Sequence, residues 1–124
     1  MLTLPSSVQI YLATGPVDLR KSIDGLGALA TTRGHDVYSG HLFVFTSRRG
    51  DRVKILVWDH GGFVLYYKRL ERGRFRLPEI APGAEEVAVD ATQLAMLLDG
   101  IDVRRVKRPE RWQPVKKVDP IRRT

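Results

Sequence analysis

The chain contains no cysteine, which excludes a disulfide framework and any thiolate metal site and suits a reducing compartment. Its three histidines, His35, His41 and His60, fall in stretches that read as loops or strand ends, a poor basis for a histidine-rich zinc site. No apolar run approaches the roughly 18 residues of a membrane span, and the opening MLTLPSSVQ lacks the charged and apolar regions of a signal peptide, so the expectation is a cytoplasmic protein without membrane contact. There is no G-x-S-x-G elbow and no cysteine nucleophile. The fragment GLG at 25–27 lacks the third glycine and the preceding strand of a phosphate loop. Basic residues are missing altogether from 77 to 100.

That last gap belongs to a strong segregation of charge. Residues 1–47 carry three basic and three acidic side chains; 48–76 carry nine against three; 77–100 carry five acidic and none basic; 101–124 again carry nine basic against three acidic. A merely soluble surface mixes its signs, so two basic blocks flanking an acidic one mark two places for an anionic polymer, against the plainer reading of a solvated surface and a basic tail. With 124 residues, 43% hydrophobic and 28% charged, the chain has the composition of one globular domain. A domain of that size buries about two thirds of the surface its unfolded chain exposes.

Val8–Ala13 (VQIYLA) reads as a short strand. The following TGPVDLRKSIDGLGALATTRG reads as a helix entered at Pro16, with Asp18 in its first turn and Gly34 at its stop. Leu19, Ile23, Leu26 and Ala30 share one stripe of it, and Gly25 and Gly27 suggest a close neighbour. HLFVFTS, RVKILVWD, FVLYYKRL and FRLP, separated by short glycine-containing turns, read as an antiparallel meander. A two-residue turn at His60 and Gly61 sets Trp58 opposite Phe63, Leu56 opposite Leu65, Lys54 opposite Tyr67 and Arg52 opposite Arg69. The other side, with Val53, Ile55 and Val57, is the better core face, although a one-residue slip would exchange the two. EEVAVDATQLAMLLDG reads as a strand running into a helix capped by Asp90 and Gln93 and stopped at Gly100, with Leu94 and Leu98 inward. The expected organisation is an α+β domain over 1–103, an antiparallel meander of four to five strands with two packed helices. An extended basic arm with three prolines follows over 104–124.

Asp18, Asp24, Asp59 and Glu71 are the candidate ligands for a Mg²⁺-dependent nuclease, yet they stand in no metal-binding spacing and each has a structural reading as cap, surface or turn residue. The basic residues are the stronger candidates. Arg48, Arg49, Arg52 and Lys54 on one strand and its turn, with Lys68, Arg69, Arg72 and Arg74 on the next, are spaced to neutralise several phosphates and release counterions. Trp58, Tyr66 and Tyr67 are candidates for base stacking, or for core. In the arm, Arg104, Arg105, Lys107 and Arg108 precede Arg111 and Trp112 and could follow a DNA groove or order on a protein partner.

GPVDLRKSIDGL (15–26) and HLFVFTSRRGDRVKILVWDHGGFVLYYKRLERGRFRLP (41–78), in that order, resemble the TnpB-type accessory proteins encoded by the second reading frame of bacterial insertion sequences of the sixty-six family. These are distinct from the RNA-guided nuclease that shares the name. The likeness spans roughly residues 8 to 100. It implies an accessory role in moving DNA, alongside a separate DDE transposase and another small protein of the same element. It supplies no catalytic residues, cofactor or metal ligands. The expected function is non-catalytic binding of DNA, such as transposon ends, through the basic hairpin and arm. The alternatives are an assembly factor that grips the transposase without touching DNA, and, last, a metal-dependent nuclease.

Overall fold

Leu42–Thr46 (LFVFT) carries four large apolar side chains in succession, the pattern of a strand covered on both faces, and all five residues are buried. In the computed structural model, which describes residues 7–100, this strand is β2, the centre of a five-stranded sheet. The chain runs β1 (Ile10–Ala13), α1 (Ile23–Thr32), β2, β3 (Arg52–Asp59), β4 (Gly62–Arg69), β5 (Glu86–Val89) and α2 (Ala91–Leu98). Across the sheet the order is β4-β3-β2-β1-β5.

The expected meander is present as β2-β3-β4, antiparallel throughout. The sheet as a whole is mixed, because β1 lies parallel to β2 with Ile10 beside Leu42, and β5 closes the far edge antiparallel to β1. The long connection from Thr14 to His41 makes this possible. Parallel neighbours need a crossover of about a dozen residues or more, and this one contains α1.

Alternation along the strands assigns the two faces. Ile10, Leu12, Leu42, Val44, Val53, Ile55 and Val57 pack on one side with Phe75 and with Leu94, Leu97 and Leu98 of α2. Phe43, Phe45 and Leu56 pack on the other with Leu19, Leu26 and Ala30. Both faces of β3 are therefore core. The sequence reading favoured the Val53 face, but the helix stripe of Leu26 and Ala30 also needs a partner, and Leu56 supplies it.

The β3–β4 hairpin has the expected register, from Asp59–Gly62 through Arg52–Arg69. His60 (φ 46°) and Gly61 (φ 84°) both take the left-handed conformation that a tight type I′ turn requires. FRLP is not a strand. Phe75 instead drops into the core at 5% exposure, and its N–H donates to the Gly50 carbonyl at 2.7 Å.

Helix α1 begins at Ile23 rather than at Pro16. The backbone before it is committed elsewhere: Val17 N–H donates to the Thr46 carbonyl at 2.9 Å, and Arg20 N–H to Asp18 Oδ1 at 3.0 Å. Leu19 still points into the same cluster as Leu26 and Ala30, so the stripe survives although its first residue is outside the helix. Helix α2 carries the expected capping box: Gln93 N–H donates to Asp90 Oδ1 at 2.7 Å, and Asp90 N–H to Gln93 Oε1 at 2.9 Å. Gly100, at φ 80°, follows its last turn.

Two substitutions test these assignments by chemical denaturation. A Cβ on Gly27 would meet Leu56 Cδ2 at an ordinary 3.8 Å, so Gly27→Ala should stabilise the protein by about 0.5–1 kcal/mol. Asp90→Ala removes one half of the capping box and should cost about 1 kcal/mol.

Candidate nucleic-acid interface

Residues 7–100 hold twelve Lys and Arg against eleven Asp and Glu, so any positive surface there comes from placement rather than from net charge. The placement follows from the sheet. With both faces of its central strands covered, charged side chains are driven to strand ends and to the outer edge. Three segments meet where the β3–β4 hairpin opens: the β2–β3 turn at 47–51, the start of β3 with the end of β4, and the loop at 70–74. Ser47 N–H donates to the Arg52 carbonyl at 3.0 Å, Leu70 N–H to Asp51 at 2.7 Å and Phe75 N–H to Gly50 at 2.7 Å. Those bonds fasten the loop to the turn, with the core side chain of Phe75 as anchor.

Arg48, Arg49, Arg52, Arg69, Arg72 and Arg74 are thus gathered at one end of the sheet. Arg48, Arg49, Arg69, Arg72 and Arg74 are exposed. The Arg74 side chain lies beside Gly50, where an added Cβ would meet it at 3.5 Å. Arg48 and Arg49 stand between two hollows. One, of about 440 Å³, is lined by Asp18, Arg20, Ser47, Asp51 and Arg52 as well. The other, of about 260 Å³, is lined by Thr14, Thr46, Gly50, Arg74 and Phe75.

Two features of this end are unfavourable to folding. Arg52 sits directly across the ladder from Arg69, a like-charge pair of the kind that weakens a sheet. Arg52 Nε is also buried without a hydrogen-bond partner among the described residues. Relief is local and incomplete: Glu71 Oε2 accepts from Arg69 Nη2 at 3.2 Å on the exposed surface.

Arg20 joins the same end and was missed by sequence reasoning, because 16–22 reads as the first turns of a helix. Its guanidinium grips Asp18 with Nε–Oδ1 at 3.0 Å and Nη2–Oδ2 at 2.8 Å. The bonds from Arg20 hold the Asp18 carboxyl well below the usual carboxylate range, and Asp18 in turn raises Arg20. Asp18 is consequently an ionised acceptor with no proton to give. Its neighbour in the D-L-R sequence was the available signal, since Asp and Arg two apart in a turn can close in this way.

Two of the proposed contacts lie away from the cluster. Lys54 reaches back over the α1 side of the sheet, where Nζ donates to the Lys21 carbonyl at 3.0 Å and sits 5.2 Å from the Tyr67 ring centroid. Lys68 points to the opposite face and donates to the Leu98 carbonyl at the C-terminus of α2, at 2.5 Å. Arg104, Arg105, Lys107 and Arg108, with the whole 104–124 arm, lie outside the described residues.

The aromatics divide by position. Trp58 packs edge-on against Phe63 and Tyr38, with ring centroids 5.0 Å apart in each case, at the hairpin turn far from the arginines. Tyr66 and Tyr67 are exposed on β4, at 36% and 50%. The histidines serve structure: His35 pairs with Glu86 at 2.7 Å between Tyr11 and Phe43, and His41 Nδ1 accepts from Gln9 N–H at 3.0 Å. Among the described residues no three His, Asp or Glu side chains form a group able to hold a metal ion, and Asp18 and Asp59 stand at opposite ends of β3. No helix there is long and apolar enough to cross a membrane.

Fold and site together define a small α+β protein built around a mixed sheet that ends in an arginine cluster. The family described as IS66 Orf2 like protein matches residues 8–108, and the chain belongs to that family, among the accessory proteins of insertion-sequence transposition. Two relatives come from Sinorhizobium fredii. The chain is 37% identical over 110 residues to the uncharacterized protein y4jC, covering 88% of this chain and 92% of that one. To the uncharacterized protein y4hO it is 37% identical over 117 residues, covering 94% and 98%. No solved structure matches it.

The position of Lys68 makes it a separable control. Lys68→Met should lower stability by about 1 kcal/mol through loss of the bond to Leu98, while leaving any affinity of the arginine end for polyanions within about twofold. Paired denaturation and heparin-binding measurements would check both halves.

Proposed function

We propose that the protein is a non-catalytic accessory factor of transposition that holds DNA by its phosphates at the arginine end of the sheet. The observation that carries this reading is the convergence of Arg48, Arg49, Arg52, Arg69, Arg72 and Arg74 from three separate segments, with Arg52 facing Arg69 across the ladder. A like-charge pair and a buried Nε without a partner among the described residues are a local cost at one spot, and a polyanion lying across them reduces it. Family membership supplies the setting, an insertion element whose DNA must be bound and moved. The described arginines contact phosphate and read no bases, so binding is general along the duplex. The basic residues of 104–124 extend the same contact, and the element's DDE transposase and second small protein are the partners in the assembly.

A second reading, an assembly factor that binds the transposase alone, is favoured by the exposed tyrosines of β4. It predicts a pull-down that survives nuclease treatment and no affinity of the isolated protein for DNA.

The decisive experiment is a salt titration of binding to a transposon end and to unrelated duplex, with charge reversal at the cross-strand pair. Three to four phosphate contacts give a slope of log K against log salt near −3, roughly −0.9 per contact. Arg69→Glu should weaken binding to both duplexes about tenfold or more, yet leave stability within about 0.5 kcal/mol, because attraction to Arg52 replaces repulsion while the exposed pair with Glu71 is lost. Loss of affinity together with loss of stability, or a salt-independent affinity, would count against the interface.

A further inference from the structure

Among the described residues, β4 is an edge strand with one side unpaired. Its hairpin turn contains two residues, so Asp59–Gly62 is a hydrogen-bonded pair and the pairs alternate from there. The bond from Leu70 N–H to the Asp51 carbonyl keeps the same phase at the far end. Gly62, Val64, Tyr66 and Lys68 therefore spend their backbone groups on β3, and Phe63, Leu65, Tyr67 and Arg69 turn theirs outward. The edge is eight residues long, has Val64, Tyr66 and Tyr67 exposed at 43%, 36% and 50%, and carries charged side chains only at its final two positions. Edges left this open are templates for a further strand.

We infer that β4 pairs antiparallel with β4 of a second copy of this chain, with Leu65 on the two-fold axis, to give a continuous ten-stranded sheet. The pattern of the strand selects both the occupant and the register. With Leu65 opposite Leu65, Phe63 meets Tyr67 and Val64 meets Tyr66, each twice by symmetry, so every apolar side chain of the edge finds an apolar partner. Lys68 falls opposite Gly62 and Arg69 opposite Gly61, beside the turn that carries Asp59, so no cation opposes another. Sliding the axis to Tyr66 would set Lys68 against Val64 and Arg69 against Phe63. Sliding it to Val64 would leave Tyr66 and Tyr67 facing glycines.

The pairing stands without DNA, but its consequence for DNA rests on the reading above. Eight residues separate the two copies of Arg69 across the axis, about 27 Å along the strands, which approaches the roughly 34 Å of one duplex turn. Two arginine ends would then face one duplex from a single rigid sheet.

The test is sedimentation equilibrium of the full chain without nucleic acid, so that its outcome is independent of DNA binding. The expected mass is twice the 14.1 kDa of the monomer. Leu65→Pro removes an outward N–H and no bond to β3, and it should give monomer with an unchanged circular dichroism spectrum. A monomeric wild-type protein, or a folded Leu65→Pro protein that remains dimeric, overturns the inference. If Leu65→Pro does not fold, Leu65→Cys decides. The chain has no other cysteine, so mild oxidation should give rapid disulfide-linked dimer from Leu65→Cys and not from Ala28→Cys on exposed α1. Equal cross-linking of the two overturns it.

Discussion

Everything in this molecule is arranged around the burial of β2 on both faces. Leu42 and Val44 need cover on one side, Phe43 and Phe45 on the other, and a single helix can serve only one of them. The chain answers by spending α1 on the crossover from β1 to β2 and α2, after β5, on the opposite face, with Phe75 filling in beside α2. The central strands enclosed in this way leave little wet face for charge. The arginines are in consequence a property of the sheet's end, where turns and strand termini present them.

The same constraint gives the basic end its stiffness. Its turn and loop are short, each carries a glycine with positive φ, Gly50 and Gly73, and they are tied to each other and to β3 and β4 by backbone bonds. Phe75 draws the loop down from the core side. Guanidinium groups on such a frame lose less freedom on meeting a ligand than they would on a free tail. Where Arg52 and Arg69 confront each other, local preference is overruled by the register that the His60–Gly61 turn sets eight residues away.

Much of this could be read in the sequence, where a local signal coincided with a tertiary need. The HGG turn located the hairpin and its register to the residue, and D-A-T-Q located α2 because the capping box is a purely local device. The direction of β1 could not be read: VQIYLA alternates identically whether it runs parallel or antiparallel to its neighbour. Nor could the late start of α1, since Pro16 and Asp18 are good first-turn residues and only the tertiary bond from Val17 to Thr46 diverts them. The basic block from 48 to 76 was legible as charge. Its division was not, because Lys68 and Arg69 are neighbours in sequence yet alternate across a strand, and one serves α2 while the other faces Arg52.

The bond from Lys68 to Leu98 also gives α2 a role as a strut. The helix is entered from β5 at one border of the sheet, and its last carbonyls are held from β4 at the other. It hands the polypeptide across the molecule, so the chain leaves Gly100 next to the strand that ends in Arg69. Gly100 therefore stands at the β4 border of the sheet and not beside the acidic segment that precedes α2. Together with the buried Leu94, Leu97 and Leu98, one primary amine on β4 thus ties the helix that follows β5 to the opposite border of the sheet.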